Sequence, residues 1–407
     1  MLEKPMMCSR HLLACALLAL LVSTASADAQ TEFLKGNFAA VSDALKSAPA
    51  NDETLLLKAK LALLSNRLDE AEAFFKRLPE SDVVTKSLAE IETRRLHFLM
   101  AARLWEKAGK TAFAAKLAAF GTKTPYQTAA FKEVHVPFVR TDPLPVVKVS
   151  INGKEPVFFI IDNGGGELIV DKQYVESLGV KNYGEETGAF AGGKKAAHGQ
   201  GIVDTVELGG LKVSNVPVSL ASTAAYIMVG GGNKISGIIG TTFLSQFRFT
   251  LDYPKGELVL QPRNSKFKPL AGSVSMPIWL GADHLILATG TVNKSAPMLM
   301  LVDTGLALQG YGLALAKSTL DEIGYKPKGT AEGVGGGGKV SFSQFDLESA
   351  SLGDVRCGKI GALAGVFPPS LENGQGYRIG GLVSHEFFKP YRVTFDLAEM
   401  KLYLVKA

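Results

Sequence analysis

The sequence predicts a multidomain protein in which an all-α helical-hairpin region precedes a mainly β part built from two similar units. Three observations predict this fold class: a short apolar leader, a change of hydrophobic period near residue 123, and a set of residues that occurs twice in the same order. The 407 residues, 46% hydrophobic and 20% charged, are enough for two or three domains. The predicted boundaries are 1–29 for a signal peptide, 31–122 for the helical region, and 130–265 and 270–405 for the β units.

The first segment has the pattern of a secretory signal. Lys4 and Arg10 are basic, Leu12–Val22 is a short apolar core, and Ala25-Ser26-Ala27 offers small residues for cleavage, with Ala27-Asp28-Ala29 as a second choice. Because this core is too short for a comfortable membrane span, an uncleaved anchor is the less favoured alternative. We therefore expect a periplasmic or secreted protein with no membrane span after signal removal.

Cysteine content and net charge exclude several functional classes. Cys8 and Cys15 lie in the predicted signal, so the mature chain would keep Cys357 and could form no intrachain disulfide. No cysteine cluster can hold zinc and the histidines are scattered, so we expect neither a metal nor a cofactor. The formal charge of +5 is small for this length and the basic residues are not clustered. Nucleic acid is therefore not an expected partner.

The region 31–122 carries leucines and alanines at three- and four-residue spacing, which is typical of amphipathic helices. A weak repeat relates Gly36-Asn37-Phe38-Ala39-Ala40 to Asn66-Arg67-Leu68-Asp69-Glu70, and Pro49 to Pro79, at the same separation. This pattern resembles a short tetratricopeptide-like array of helical hairpins, and a plain helical pack is almost equally favoured. We expect antiparallel helices outside the β core, with a protein partner for this region as one hypothesis.

Beyond residue 123 the hydrophobic period becomes that of β-strands, and the β region is duplicated. Phe159-Ile160-Ile161-Asp162 matches Met300-Leu301-Val302-Asp303. In the same order, the residues Phe243, Arg248, Thr250 and Asp252 match Phe387, Arg392, Thr394 and Asp396. Because each copy is too short to bury a large β core alone, we expect the copies to pair about a pseudo-twofold axis. Asp252 and Asp396 are expected in turn or capping roles.

Each copy places an aspartate directly after an apolar strand and just before glycine. These are Asp162, followed by Asn163-Gly164, and Asp303, followed by Thr304-Gly305. Carboxylates from the two copies placed together beside the axis would be like charges at close range, and these must share a proton. The ionised carboxylate can take a proton from water while the protonated one donates to a peptide carbonyl. Asp162 and Asp303 are therefore the predicted catalytic pair.

The motif and its duplication resemble the aspartic peptidases, and especially retropepsin-like bacterial proteins with two such domains on one chain. Asp303-Thr304-Gly305 matches the family's Asp-Thr/Ser-Gly motif outright, and Gly237-Ile238-Ile239-Gly240 matches its later mark of two apolar residues and glycine. The resemblance covers residues 130–405 and implies two retropepsin-like β-barrel units with a peptide or protein substrate between them. It also implies that Asn163, Gly164, Thr304 and Gly305 support the catalytic pair.

Two positions depart from the family pattern. Asn163 stands where the family has Thr or Ser, whose hydroxyl hydrogen-bonds across the axis, and Ser384 stands where the family has the later glycine. Asn can donate a hydrogen bond but is larger and branches differently. The departures leave two hypotheses open: an active exported aspartic endopeptidase, and a catalytically weak or inactive peptide-binding or scaffold protein with the same fold.

Two glycine-rich runs, Gly188–Lys194 and Gly333–Lys339, have the spacing of a phosphate loop but lack its Ser or Thr. Alternating residues follow the second run, whereas a phosphate loop must open a helix. The runs are better interpreted as hairpin tips over a cleft, which the family uses as flaps. The residues expected to contact substrate there are Phe190, Gly192, Gly193, Gly335 and Gly336.

Overall fold

The N-terminal region is helical. In this computed structural model the described residues are 26–189, 193–227, 229–282, 284–327, 329–335 and 338–406. Helix α1 covers residues 26–35, at the end of the predicted signal peptide, and residues 1–25 lie outside the described part. The helices that follow are α2 (Phe38–Ala44), α3 (Asp52–Leu64), α4 (Leu68–Phe75), α5 (Asp82–Arg94), α6 (Phe98–Lys107) and α7 (Thr111–Ala118). The helical part of the predicted fold is therefore confirmed.

Local side-chain bonds explain where several of these helices begin. The Asn51 side chain accepts a hydrogen bond from the N–H of Thr54, and the Thr54 hydroxyl accepts one from the N–H of Asn51, so α3 begins in a capping box. The Ser81 side chain caps α5. Gly36, between α1 and α2, has a φ of +77°, and a Cβ there would lie 2.6 Å from the Leu299 side chain. This turn therefore requires glycine.

The two ends of the helical region share apolar cores with the β part. The rings of Phe33 and Phe38 lie 5.8 and 5.1 Å from that of Tyr377, and the Phe38 ring lies 5.4 Å from that of Trp279. At the other end, Leu117 belongs to the main core of the β part. Our expectation of helices outside the β core was correct only for the middle of the array. The apolar faces of the helices at the two ends therefore pack on the β units.

The remainder of the chain is mainly β, as predicted. The first unit contains β1 (Gln127–Thr128), β2 (Val134–Pro137), β3 (Val146–Ile151), β4 (Val157–Ile161), β5 (Leu168–Asp171), α8 (Lys172–Leu178), β6 (Glu185–Ala189), β7 (Lys195–Leu208), β8 (Leu211–Ala221), β9 (Ile235–Ile239), α9 (Thr241–Leu244), β10 (Phe247–Asp252) and β11 (Glu257–Pro262). The second unit contains β12 (Val274–Pro277), β13 (Trp279–Gly281), β14 (Leu285–Val292), β15 (Met298–Val302), β16 (Tyr311–Leu315), α10 (Lys317–Glu322), β17 (Ala331–Gly335), β18 (Gly338–Leu347), β19 (Ala350–Leu352), β20 (Val355–Cys357), β21 (Ile360–Ala364), α11 (Pro369–Asn373), β22 (Gly381–Val383), α12 (His385–Phe388), β23 (Tyr391–Asp396) and β24 (Lys401–Lys406).

The two units share one strand order. In the first, neighbouring strands run β8-β5-β9-β4-β3-β7, and β7 also pairs with β8, which closes a six-stranded barrel. In the second, the order is β21-β16-β22-β15-β14-β19, and the strand that would close the ring is interrupted between β18 and β19. The strand before each aspartate pairs in parallel with a later apolar strand, β4 with β9 and β15 with β22. Every residue of β9, β15 and β22 is buried, because protein covers both faces of these central strands.

A third sheet joins the two units. Its order is β12-β24-β23-β10-β11-β2, so each unit contributes three strands, and β10 pairs antiparallel with β23 at the centre. In this pair Thr250 lies opposite its sequence counterpart Thr394, and their hydroxyl oxygens are 2.8 Å apart. Equivalent residues face each other in an antiparallel pair only at a twofold axis. The pseudo-twofold axis therefore passes between these two threonines.

Two related ion pairs cross this axis. Arg248 donates to Asp396 at 2.7 Å, and Arg392 donates to Asp252 at 2.8 Å. Each aspartate also accepts hydrogen bonds from backbone N–H groups of the turn that follows it, which confirms the turn role expected for both. Arg248 and Asp396 are only 3% and 1% exposed, so this pair is shielded from water and from screening by salt.

We predict that Asp396→Asn lowers the free energy of unfolding by about 3–5 kcal/mol, because it leaves the buried Arg248 guanidinium without its counter-charge. Urea denaturation followed by circular dichroism measures the loss. The matched control is Asp321→Asn, whose partner Lys317 is exposed, and it should change the free energy by less than about 1 kcal/mol. Similar small losses for both variants would contradict a role for the crossed pairs in joining the units.

Candidate active site

Asp162 and Asp303 each lie one residue beyond an apolar strand, β4 and β15. The backbone N–H of each aspartate donates to the last carbonyl of the parallel neighbouring strand, at 3.1 Å for β9 and 3.0 Å for β22. Each carboxylate accepts a hydrogen bond from the N–H of the glycine two residues further on, Gly164 at 2.9 Å and Gly305 at 2.7 Å. Both carboxylates are thus fixed by backbone groups of their own turns.

The two turns approach each other so closely that each glycine faces the opposite carboxylate. A Cβ on Gly164 would lie 2.4 Å from Cγ of Asp303, and a Cβ on Gly305 would lie 2.2 Å from Oδ1 of Asp162. No side chain fits at either position. The structure therefore brings together the two carboxylates and the two motif glycines that the sequence singled out.

Asn163 and Thr304 lie fully buried behind the carboxylates. The N–H of Asn163 donates to Oγ1 of Thr304 at 3.1 Å, and the N–H of Thr304 donates to Oδ1 of Asn163 at 2.7 Å. The Asn163 side-chain Nδ2 donates to the Val302 carbonyl at 2.9 Å. Asn163 thus supplies one acceptor and one donor across the axis, which is what a hydroxyl at this position can supply.

The later motifs of the two units differ for a local steric reason. A Cβ on Gly240 would lie 2.3 Å from the carbonyl oxygen of Glu167, so the first unit requires glycine there. In the second unit Ser384 is fully buried, and its hydroxyl accepts a hydrogen bond from the N–H of Leu306 at 3.0 Å. Ser384 therefore holds the loop that follows Gly305, which explains the serine at a family glycine position.

The geometry makes the two carboxylates share a proton. Burial and the neighbouring charge of Asp303 raise the pKa of Asp162 to about 7. Burial also raises the pKa of Asp303, against the opposing effects of the Gly305 N–H, a hydrogen bond with Asp162 and the charge of His284. Two like charges this close resist double ionisation, so the pair titrates as a unit and its last proton is held to near-neutral pH.

The carboxylate pair lies in a cavity of about 940 Å³, at the upper end of the range for small-ligand sites. Both β units line it, and the helical region supplies a further wall that includes Arg94, Trp105 and Phe113. Lys116 Nζ of α7 donates to both carboxylate oxygens of Glu167 at 2.7 and 2.6 Å, which fixes this wall to the loop after Asp162. The helical array therefore lies over the cleft.

Both predicted hairpins are present, and each reaches the other unit. Strand β6 pairs with β7, and β17 pairs with β18. A Cβ on Gly193, at the first tip, would lie 3.4 Å from Pro369 of the second unit, and β17 contacts Ala224–Tyr226 of the first. Gly335 ends β17, and a strand follows the second glycine run where a phosphate loop would need a helix. The predicted substrate contacts Phe190, Gly192 and Gly336 lie outside the described residues.

The sequence analysis missed two side chains near the carboxylates. Tyr226 lines the cavity, and burial together with the charges of the two aspartates raises the pKa of its phenol. His284 also lines the cavity, with its ring 3.5 Å from the place of a Cβ on Gly166. Strand β3 pairs with β4 in the same register as β14 pairs with β15. Counting back along β14 and β3 from equivalent residues places His284 at the position that Pro143 has in the first unit. Comparing the two copies residue by residue would have marked His284, whereas nothing in the sequence singles out Tyr226.

We predict that Asn163→Ala lowers the free energy of unfolding by about 2–4 kcal/mol, because it leaves the Thr304 N–H and the Val302 carbonyl unpaired in a fully buried place. Urea denaturation at neutral pH measures the loss. Asn163→Thr is the matched variant: its hydroxyl can restore an acceptor and a donor, so it should lose less. Equal losses for the two variants would show that the bonds across the axis contribute little.

Comparison with known families supports this assignment of the two regions. Residues 147–243, which include Asp162 and its turn, match the family model for aspartyl protease, and residues 36–90 match that for the tetratricopeptide repeat. No curated protein shows a significant match to the chain. The chain thus contains an aspartyl protease domain in its first β unit and tetratricopeptide-like repeats in its helical region.

Proposed function

We propose that the protein is an exported aspartic endopeptidase in which Asp162 and Asp303 activate water to hydrolyse peptide bonds. The observation that carries the proposal is the approach of the two turns, in which each motif glycine leaves room only for the opposite carboxylate. The raised pKa of Asp162 and the aspartyl protease match over the first unit support the same chemistry.

The proposed reaction uses the single proton that the pair shares. Water donates a proton to the ionised carboxylate while its oxygen bonds to the peptide carbonyl carbon, and the other aspartate gives its proton to the carbonyl oxygen. The aspartate that took the proton from water then protonates the amide nitrogen of the tetrahedral intermediate. One hydroxyl of the intermediate returns a proton to the other aspartate. The C–N bond breaks to give a carboxylic acid and an amine, and the pair again holds one proton.

The binding-only alternative depended mainly on Asn163. This side chain makes hydrogen bonds to both Thr304 and Val302, so the support of the carboxylates does not require the family's hydroxyl. Ser384 is likewise accommodated by a bond to the loop after Gly305. The geometry therefore favours an active peptidase, and a peptide-binding protein without cleavage is the outcome that activity measurements must exclude.

We also propose that the protein acts in the periplasm or outside the cell. The basis is the apolar leader with its small-residue cleavage site. Among the residues that the structure describes, no helix is long and apolar enough to cross a membrane. Fractionation of cells that express the full chain tests the proposal, and cytoplasmic protein that keeps the leader would overturn it. We further propose that the tetratricopeptide-like repeats bind a protein partner in the same compartment. Affinity capture with the intact chain as bait, compared with capture by a chain that carries substitutions on the surface of residues 31–122, tests this proposal.

We predict that Asp162→Asn and Asp303→Asn each lower peptide cleavage by at least about a hundredfold, because each removes one of the two proton-transfer roles. Cleavage of a random peptide pool by the purified protein, followed by mass spectrometry across pH, measures this. The wild-type profile should be bell-shaped, since both the fully protonated and the doubly ionised pair are inactive. Asn163→Thr should keep or raise activity. Residual activity near the wild-type level in either Asn variant would exclude the mechanism.

The same pair makes a prediction about stability. Because the pKa of Asp162 is raised from the usual Asp range to about 7, the folded protein binds more protons than the unfolded chain between these values, and folding stability falls as pH rises through this window. Asp303→Asn removes the repulsion, so its melting temperature should exceed that of the wild type at pH 7–8, and the difference should vanish near pH 3. An unchanged or lower melting temperature for Asp303→Asn at pH 7–8 would argue against the shared proton.

A further inference from the structure

One cavity is lined both by the carboxylate pair and by two arginine side chains. Besides Asp162 and Asp303, its lining includes Arg94 on helix α5 and Arg263, which follows strand β11. Arg263 thus belongs to the first β unit, and Arg94 belongs to the helical region. Their guanidinium groups are near enough for the charge of Arg94, in addition to burial, to lower the pKa of Arg263.

Apart from Arg263, the lysine and arginine side chains that line the cavity have carboxylate partners. These pairs are Arg94 with Glu90, Lys110 with Glu186 at 3.4 Å, and Lys172 with Glu185 at 3.2 Å. Lining carboxylates are matched in the same way, since Glu167 pairs with Lys116 and Glu332 with Lys339. Apart from the catalytic pair and Arg263, these lysine, arginine and glutamate charges on the wall are thus balanced by their neighbours.

Arg263 differs from this pattern. Among the described residues it forms no ion pair, and its guanidinium makes one long hydrogen bond, 3.4 Å, to the Leu397 carbonyl. The carboxylate that acts on its charge, Asp396, is already bonded to Arg248 and to two backbone N–H groups. A guanidinium has five N–H donors, so most of the donors of Arg263 are free for a ligand.

Arg94 lines the cavity near Arg263. Its side chain is 8% exposed, its Nη1 donates to the Leu63 carbonyl at 2.9 Å and its Nη2 donates to the Leu280 carbonyl at 3.0 Å. Asn66 donates to the same Leu397 carbonyl as Arg263, at 3.3 Å. The helical region is therefore bonded to the second β unit at the carbonyls of Leu280 and Leu397, and Arg263 is bonded to the second of these carbonyls.

We propose that this part of the cavity binds the C-terminal carboxylate of a short peptide through Arg263, the lining cation that has no carboxylate partner among the described residues. The consequence of this site rests on the proposed peptidase function. If Asp162 and Asp303 hydrolyse peptide bonds, a peptide held by its free C-terminal carboxylate would be cut near its C-terminus. The planar guanidinium matches the two oxygens of a carboxylate. The bonds that Arg94 and Asn66 make to the second unit beside it favour a chain terminus over an internal acidic residue, because a terminus needs room on one side only. The positive charge of an N-terminus is repelled by Arg263.

The test is competition between peptides that differ at the C-terminus alone. Full-length Asp303→Asn protein is mixed with equal amounts of a random nonapeptide pool as free acids and as C-terminal amides. Bound peptides are separated by gel filtration and counted by mass spectrometry. We expect free acids to be retained over amides by about tenfold, as one charge-assisted hydrogen-bonded pair provides. Arg263→Gln in the same background should bring the ratio to parity, and Arg263→Lys should restore part of it.

Lys172→Gln is the matched control, because it removes a lining cation that already has a partner, and it should leave the ratio unchanged. Equal retention of acids and amides, retention of neither, or loss of selectivity in the control would overturn the site. Retention of amides rich in Asp and Glu would instead assign Arg263 to acidic side chains and overturn the terminal assignment. Because binding needs no cleavage, selective binding without hydrolysis by the wild type would sink the peptidase and keep the site. Hydrolysis without selectivity would do the reverse.

Discussion

The antiparallel pairing of β10 with β23 is the contact on which the rest of the β part depends. Here two equivalent strands of the two units lie side by side, with Thr250 opposite Thr394 on the axis. Each unit supplies one aspartate of the pair Asp162 and Asp303, so neither unit alone brings the two together. The axis that this strand pair defines relates the turns after β4 and β15, and these turns meet. The crossed Arg–Asp pairs give the contact a register as well as strength.

The contact between the turns after β4 and β15 is unfavourable by itself, because it places the carboxylates of Asp162 and Asp303 at close range and partly removed from water. The surrounding bonds are arranged to hold it. Gly164 and Gly305 remove the side chains that would keep the turns apart, and Asn163 and Thr304 bond across the axis directly behind them. Local rules are broken where the chemistry is expected and satisfied around it, which is the usual relation between a functional site and its scaffold.

The sequence predicted those features that repeat or that have a fixed period. The matched residues related Asp162 to Asp303 and Arg248 to Arg392, and the strand order that the two units share agrees with this duplication. It could not predict what covers the apolar faces of the terminal helices, because an amphipathic pattern shows that a face is buried without naming its partner. Tyr226 and Arg263 were missed for a related reason. Each is a single residue brought to the cavity by long-range packing, and no motif marks it.

The duplicated floor and the single helical array together make an asymmetric site. A peptide has a direction, and a site with true twofold symmetry would bind it equally well either way round. Here the two halves differ where substrate would lie: His284 stands in the position of Pro143, and the helical wall with Arg94 covers one end. Differential contacts of this kind are what discriminate between two binding modes. The departures from exact duplication therefore lie where they can give the substrate a single orientation, while the bonds that hold the carboxylates stay paired across the axis.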